Sequence, residues 1–141
     1  MSSIDQVSER ADPAIETLKA VGDRWSMLIM FGAQQTDFRF REAQSKLGLA
    51  HNVLSARLKL LIGGGLLERA HAGRNAAYRA TDAGLGLLDV ILAMQTWALD
   101  WLSPGDADWQ ALIHKPCGKE LKINCICKSC GQTVSPLNVS Y

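Results

Sequence analysis

The stretch Leu47-Gly48-Leu49 constrains the fold more than any other part of the chain, because it joins two short amphipathic segments with no room for a loop. The first segment begins near Phe40 and runs through Ala43 to Leu47, and Gly48 stands where helices commonly end in the left-handed conformation. The second, His51 to Ile62, sets Val53, Leu54, Leu58, Leu61 and Ile62 at helical spacing. Two short helices across a glycine turn make a helix-turn-helix, whose second helix is the one suited to a DNA major groove. Gly63-Gly64-Gly65 stops that helix, and LLERA and AYRAT then flank the polar stretch HAGRNA. This reads as a two-stranded hairpin with Arg69, Arg74 and Arg79 outward. A helix-turn-helix followed by such a hairpin is a winged helix.

The flanks complete a mainly α (α+β) domain. Pro13 suits the first turn of a helix through Ile15, Leu18 and Val21, with Asp12 as its cap and Gly22 at its end. Asp23 caps a second helix from Arg24 to about Ala33, in which Trp25, Leu28, Ile29 and Phe31 are the expected core. A long helix from Thr81 to about Leu102 follows the hairpin, capped by Thr81 or Asp82. One stripe of it holds Leu88, Ile91, Leu92, Gln95, Leu99 and Leu102, and a second holds Leu87, Met94, Ala98 and Trp101. A helix apolar over more than half its circumference needs a second partner. A homodimer interface through Leu18, Leu88, Leu92 and Leu99 meets that need, and packing on the C-terminal tail is the other solution. Trp25, Trp97 and Trp101 belong to the core or that interface. Asp89, Gln95 and Asp100 interrupt the long helix, which argues against a membrane span. With no cationic start followed by an apolar stretch at the N-terminus, the expected location is the cytoplasm. The expected division is a winged-helix and dimerisation domain over residues 1–103 and a small zinc-ribbon-like tail over 104–141.

Charge is segregated along the chain. The net charge is only +1 over 141 residues, yet residues 24–81 carry nine basic and three acidic side chains, a net +6. Residues 82–113 hold five aspartates and no lysine or arginine. A basic centre between acidic flanks fits a reader of double-stranded DNA. Within it, His51, Asn52 and Ser55 fall in the first turns of the second motif helix, where side chains reach base edges. Helix capping is the competing role for Asn52. Lys59 and Arg57 lie further along, Arg39 precedes the first motif helix as a candidate phosphate clamp, and Arg74 at the wing tip suits a narrow minor groove. An apolar content of 48% with 21% charged residues excludes a disordered tail and a disulfide miniprotein. Enzyme chemistry is not visible: there is no Ser/His/acid set and no phosphate-binding glycine loop.

All four cysteines lie between 117 and 130. His114-x2-Cys117-Gly118 and Cys127-x2-Cys130-Gly131 are two knuckles that together suit one structural Zn²⁺ in a tetrahedral site. The glycine after each pair allows a tight turn whose N–H groups donate to sulfur. Cys125 is a spare, or a substitute for His114 in an all-cysteine site. A disulfide and free thiols are the alternatives, the first disfavoured in a reducing cytoplasm.

The run Val21-Gly22-Asp23-Arg24-Trp25-Ser26-Met27-Leu28-Ile29 resembles the opening of the HxlR family of bacterial winged-helix transcription regulators. The resemblance continues in one register through Arg39-Phe40, Leu54-Ser55-Ala56-Arg57-Leu58, Gly65-Leu66, Tyr78-Arg79-Ala80-Thr81 and Trp97, covering about residues 10 to 103. It implies a sequence-specific regulator, expected to be a repressor, paired through the first and last domain helices on a pseudo-palindromic operator. It also implies that Arg57 holds a phosphate or an internal acid rather than a base. Redox-sensing members carry a cysteine just before the first helix, where this chain has Asp12. Glycines replace the usual charged residues before Gly65, which loosens the end of the second motif helix. The competing functions are a winged-helix/zinc-ribbon protein adaptor and a thiol- or metal-sensing regulator using the tail cysteines. An adaptor would expose apolar anchors where His51, Asn52 and Ser55 stand. A small-molecule or redox effector is an open partner, with no residue set that specifies it.

Overall fold

The computed structural model describes residues 12–71, 73, 76–102, 105 and 108–139. The elements are helices α1 (Pro13–Val21) and α2 (Arg24–Ala33), strand β1 (Phe38–Arg39), helices α3 (Phe40–Leu47) and α4 (His51–Gly63), strands β2 (Leu67–Arg69) and β3 (Ala77–Ala80), and helix α5 (Asp82–Trp101). A short hairpin of β4 (Ile113–His114) and β5 (Lys119–Glu120) and a 3₁₀ turn (Pro136–Asn138) follow. Two compact units divide within α5, one ending at Leu88 and the other starting at Asp89.

In the first unit the caps stand where the residue types demand them. The Asp12 carboxylate accepts the Ala14 N–H at 2.7 Å, and Pro13 occupies the first turn of α1. Asp23 accepts the N–H groups of Trp25 and Ser26 at 3.1 Å each and faces the Arg57 guanidinium at 3.4 Å. Burial pushes the Asp23 carboxyl up, but Ser26, Arg57 and the Trp25 N–H together outweigh it and hold it below the usual carboxylate value. The stabilisation from this group is therefore complete above the ordinary carboxylate range and is lost as pH falls through the lower folded value. Asp23→Ala is expected to cost about 1 kcal/mol at neutral pH. Thermal melts from pH 7 down to pH 3 check this, since the gap between wild type and variant must narrow as the pH falls below the ordinary carboxylate range.

The turn between α3 and α4 holds Gly48 at φ 63°, and its N–H and that of Leu49 both bond the Gln44 carbonyl. The N-cap of α4 is Ala50, which offers no side-chain cap. The sheet has three strands in the order β1-β3-β2, all antiparallel, so the two-stranded wing has an additional partner. Strand β1 is only two residues long, too short for any periodicity to reveal. It is fixed by Phe38, opposite Tyr78 in register and stacked on its ring at 5.5 Å.

Met30, Leu54, Leu61 and Leu67 are fully buried, with Ser26 among them. The core face of α2 is Ser26, Ile29, Met30 and Ala33, one turn-by-turn stripe. Of the residues expected there, Ile29 is buried, but Leu28 and Phe31 are exposed and Trp25 is half-buried. The expectation followed side-chain size, whereas a serine sits in the stripe. Thr81 opens α5: its hydroxyl donates to the Gly65 carbonyl and accepts the Gly84 N–H at 3.1 Å. A Cβ at Gly84 would overlap the Leu66 carbonyl, so only glycine allows α5 to start this close to the strand.

In the second unit, Thr96 is buried and its hydroxyl donates to the Leu92 and Ala93 carbonyls. The β4–β5 pair sets Ile113 opposite Glu120 and His114 opposite Lys119. A second turn brings Ile126 opposite Thr133, with the Val134 N–H donating to the Cys125 carbonyl. Lys122 binds Asp100 and Glu120 at 3.1 and 3.0 Å, tying the tail to the end of α5. Leu88, Leu92 and Leu99, expected at a dimer interface, are half-buried, and Leu18 is exposed. The largest exposed apolar side chains on α5 are instead Met94, Trp97 and Trp101, the last 76% exposed. α5 is long and apolar enough to cross a membrane, but Asp89 and Asp100 are charged groups within that span.

Candidate nucleic-acid interface

Helix α4 has two chemically opposite faces. Leu54, Leu58 and Leu61 are buried, and His51, Asn52, Ser55 and Lys59 are exposed. The exposed four line one open cleft with Arg69 of β2 and Tyr78 of β3, about 570 Å³ in volume. Because Ala50 takes the N-cap position, Asn52 is not consumed as a cap, and its amide remains on the polar face. The His51 ring lies 4.7 Å from the Phe40 ring at the start of α3. Neither Phe40 nor Tyr78 stood out in the sequence as part of this site, since both approach it across a turn or a strand that spacing does not encode.

The basic side chains divide into engaged and available groups. Arg57 is on α4 but pairs with Asp23, the internal-acid role, and does not line the cleft. Arg79 is held by Glu68 at 3.3 Å. Arg39 is exposed at the N-cap of α3. Glu42, three residues on, is held below the usual carboxylate value by its bond to Lys46 and the Lys46 charge, then by the Arg39 N–H and charge. Lys59 and Arg69 are exposed and line the cleft, where they are placed to meet phosphates. Arg74 lies outside the described residues.

In the tail, His114 Nδ1 is 3.3 Å from Cys117 Sγ, and Gly118 sits at φ 65°. Gly131 takes φ 75° after Cys130, and its N–H donates to the Cys127 carbonyl at 2.7 Å. The Cys127 thiol is held below the usual value by the N–H groups of Cys130 and Ser129, with the Cys130 side chain adding to them. Each knuckle is thus formed as a turn with its own pair together. Among the described residues no three His, Cys, Asp or Glu side chains converge, so the four expected zinc ligands stand as two separate pairs. Cys125 is exposed, and all four thiols are free.

A three-helix scaffold, a two-faced helix after a glycine turn and a β-wing define a winged-helix transcription regulator. A family model for HxlR-like helix-turn-helix proteins matches residues 20–106, and the chain belongs to that family. It is 31% identical over 126 residues to an uncharacterised helix-turn-helix-type transcriptional regulator of Mycobacterium tuberculosis H37Rv, Rv3095, covering 87% of this chain and 80% of that protein. Among solved structures it is similar to PA1607, a candidate transcription factor, with a TM-score of 0.77 and 29% identity over 96% of this chain and 97% of that one. The reduced form of the transcriptional regulator YodB from B. subtilis matches with a TM-score of 0.60 and 28% identity, covering 69% of this chain and 100% of YodB. The chain is accordingly a DNA-binding regulator and not an enzyme.

Proposed function

We propose that the protein is a cytoplasmic homodimer that represses transcription by occupying a pseudo-palindromic operator. The observation that carries this reading is the polar face of α4. His51, Asn52 and Ser55 share one cleft with Lys59 and Arg69, whose floor includes Leu58 and whose lining excludes the fully buried Leu54 and Leu61. Base-capable groups sit where phosphate-binding cations can hold them in register. Exposed Met94, Trp97 and Trp101 on α5, with Ile15 and Leu18 on α1, supply apolar surface for pairing two copies. Titration of the protein on its own upstream DNA, with random duplex as competitor, tests the reading. About 1000-fold discrimination at physiological salt is expected for an operator-binding regulator. With about six phosphates neutralised per dimer, log affinity should fall with log salt at a slope near −5. Equal, salt-labile binding to both duplexes would defeat it.

The tail supports a second, separate proposal: His114, Cys117, Cys127 and Cys130 hold one structural Zn²⁺ when the two knuckles are drawn together. Two positive-φ glycine turns, each with its potential ligands already paired, favour it. The metal would supply a cross-link for a tail with little apolar surface to bury. Native mass spectrometry of the full chain should show one zinc per chain, lost in Cys117→Ser and in Cys127→Ser. A metal-free chain after purification with added zinc rules the site out.

A further inference from the structure

The second unit contains a cleft that the DNA-binding reading leaves unused. Gln95, Ala98 and Leu99 of α5, with Asp108, Trp109, Gln110 and Leu112, line an open cleft of about 410 Å³. That volume lies in the range of small-molecule sites, which are mostly apolar with a few polar groups. Trp109 is 42% exposed, an aromatic ring available at a cleft wall. The Gln95 amide oxygen is shielded from solvent and has no hydrogen-bond partner among the described residues, so the exposed Gln110 amide is the acceptor that the cleft presents to a donor.

Charge selects the ligand. Asp108 is a lining residue, and none of the described lining residues is basic. The whole segment 82–113 carries five aspartates and no lysine or arginine. Lys122 is occupied by Asp100 and Glu120. An anion finds no partner here, whereas a flat cation can lie on the Trp109 face beside the Asp108 carboxylate. Leu99, Leu112 and Ala98 suit its apolar body, and the Gln110 amide oxygen suits an N–H donor.

We propose that this cleft binds a planar aromatic cation bearing an N–H donor. Binding itself does not depend on the DNA-binding reading. Its consequence does: a ligand seated against α5 bears on the helix assigned to dimer pairing, which is how an effector would reach the DNA.

Proflavine, flat and cationic at neutral pH, is the probe, with fluorescein as a flat anionic control. Fluorescence anisotropy on the full chain without DNA should show saturable binding of one proflavine per chain. Ala98→Trp, which fills the cleft, and Trp109→Ala, which removes the ring, should each weaken binding by about tenfold or more. Asp108→Asn should weaken it severalfold and reduce its salt dependence. Trp109→Ala changes an exposed side chain outside the helices, so the test survives if Ala98→Trp misfolds; circular dichroism checks both. The proposal falls if proflavine fails to saturate, if Trp109→Ala binds like wild type, or if fluorescein binds as tightly. Failure here with intact operator binding leaves the regulator reading standing, and the reverse outcome leaves the cleft standing.

Discussion

Leu54→Ala is expected to destabilise the protein by about 2–5 kcal/mol, while Leu60→Ala, six residues along the same helix, should cost under about 1 kcal/mol. Leu54 is fully buried, and truncating it removes packed apolar surface and leaves a cavity that the surrounding core fills only in part. Leu60 is 40% exposed, so most of its surface already meets water. Against a typical total of about 5–15 kcal/mol, the larger loss moves a sizeable fraction of molecules out of the native state at 37 °C. Urea melts of the two variants separate these outcomes. Near-equal losses would mean that α4 is rotated from the orientation described, which would also turn His51, Asn52 and Ser55 away from the surface.

That coupling explains which features were legible in the sequence. A helix with buried Leu54, Leu58 and Leu61 can present only the remaining arc outward, so periodicity alone located both its core and its polar face. Gly48 and the aspartate caps were equally legible, because a left-handed turn and an orphaned N–H restrict residue type locally. Strand β1 was not, because its two residues are defined by Tyr78 and Ala77, some forty positions away. Nor was the buried stripe of α2: Trp25, Leu28 and Phe31 are larger than Ser26 and Ala33, and size misled where phase decided. Arg57 and Lys59 looked alike as cations on one helix. The family resemblance left Arg57 between a phosphate and an internal acid, and the fold pairs it with Asp23 while Lys59 faces the cleft, since two residues along a helix is a rotation of about half a turn. The tail shows the opposite limit. Each knuckle is local and was readable, but whether the two pairs meet depends on packing that spacing does not encode.

The same division of α4 sets the largest functional effect. Asn52→Ala is expected to reduce operator affinity by about 1–3 kcal/mol, roughly 5- to 150-fold, and to leave random-duplex affinity nearly unchanged. A hydrogen bond to a base edge carries sequence information, and its removal falls on the specific complex alone. Lys59→Ala and Arg69→Ala should behave differently, weakening both duplexes in similar proportion. Each should also reduce the steepness of the salt dependence by about one unit for every phosphate that is no longer neutralised. Arg57→Ala supplies the contrast, because its guanidinium is engaged with Asp23 and the expected change is in stability, with the salt slope retained. Affinity titrations of the four variants on both duplexes at two salt concentrations resolve these patterns. If Asn52→Ala lowers both affinities equally, or Arg57→Ala flattens the salt slope as Lys59→Ala does, the cleft between α4 and β2 is not the surface that reads DNA.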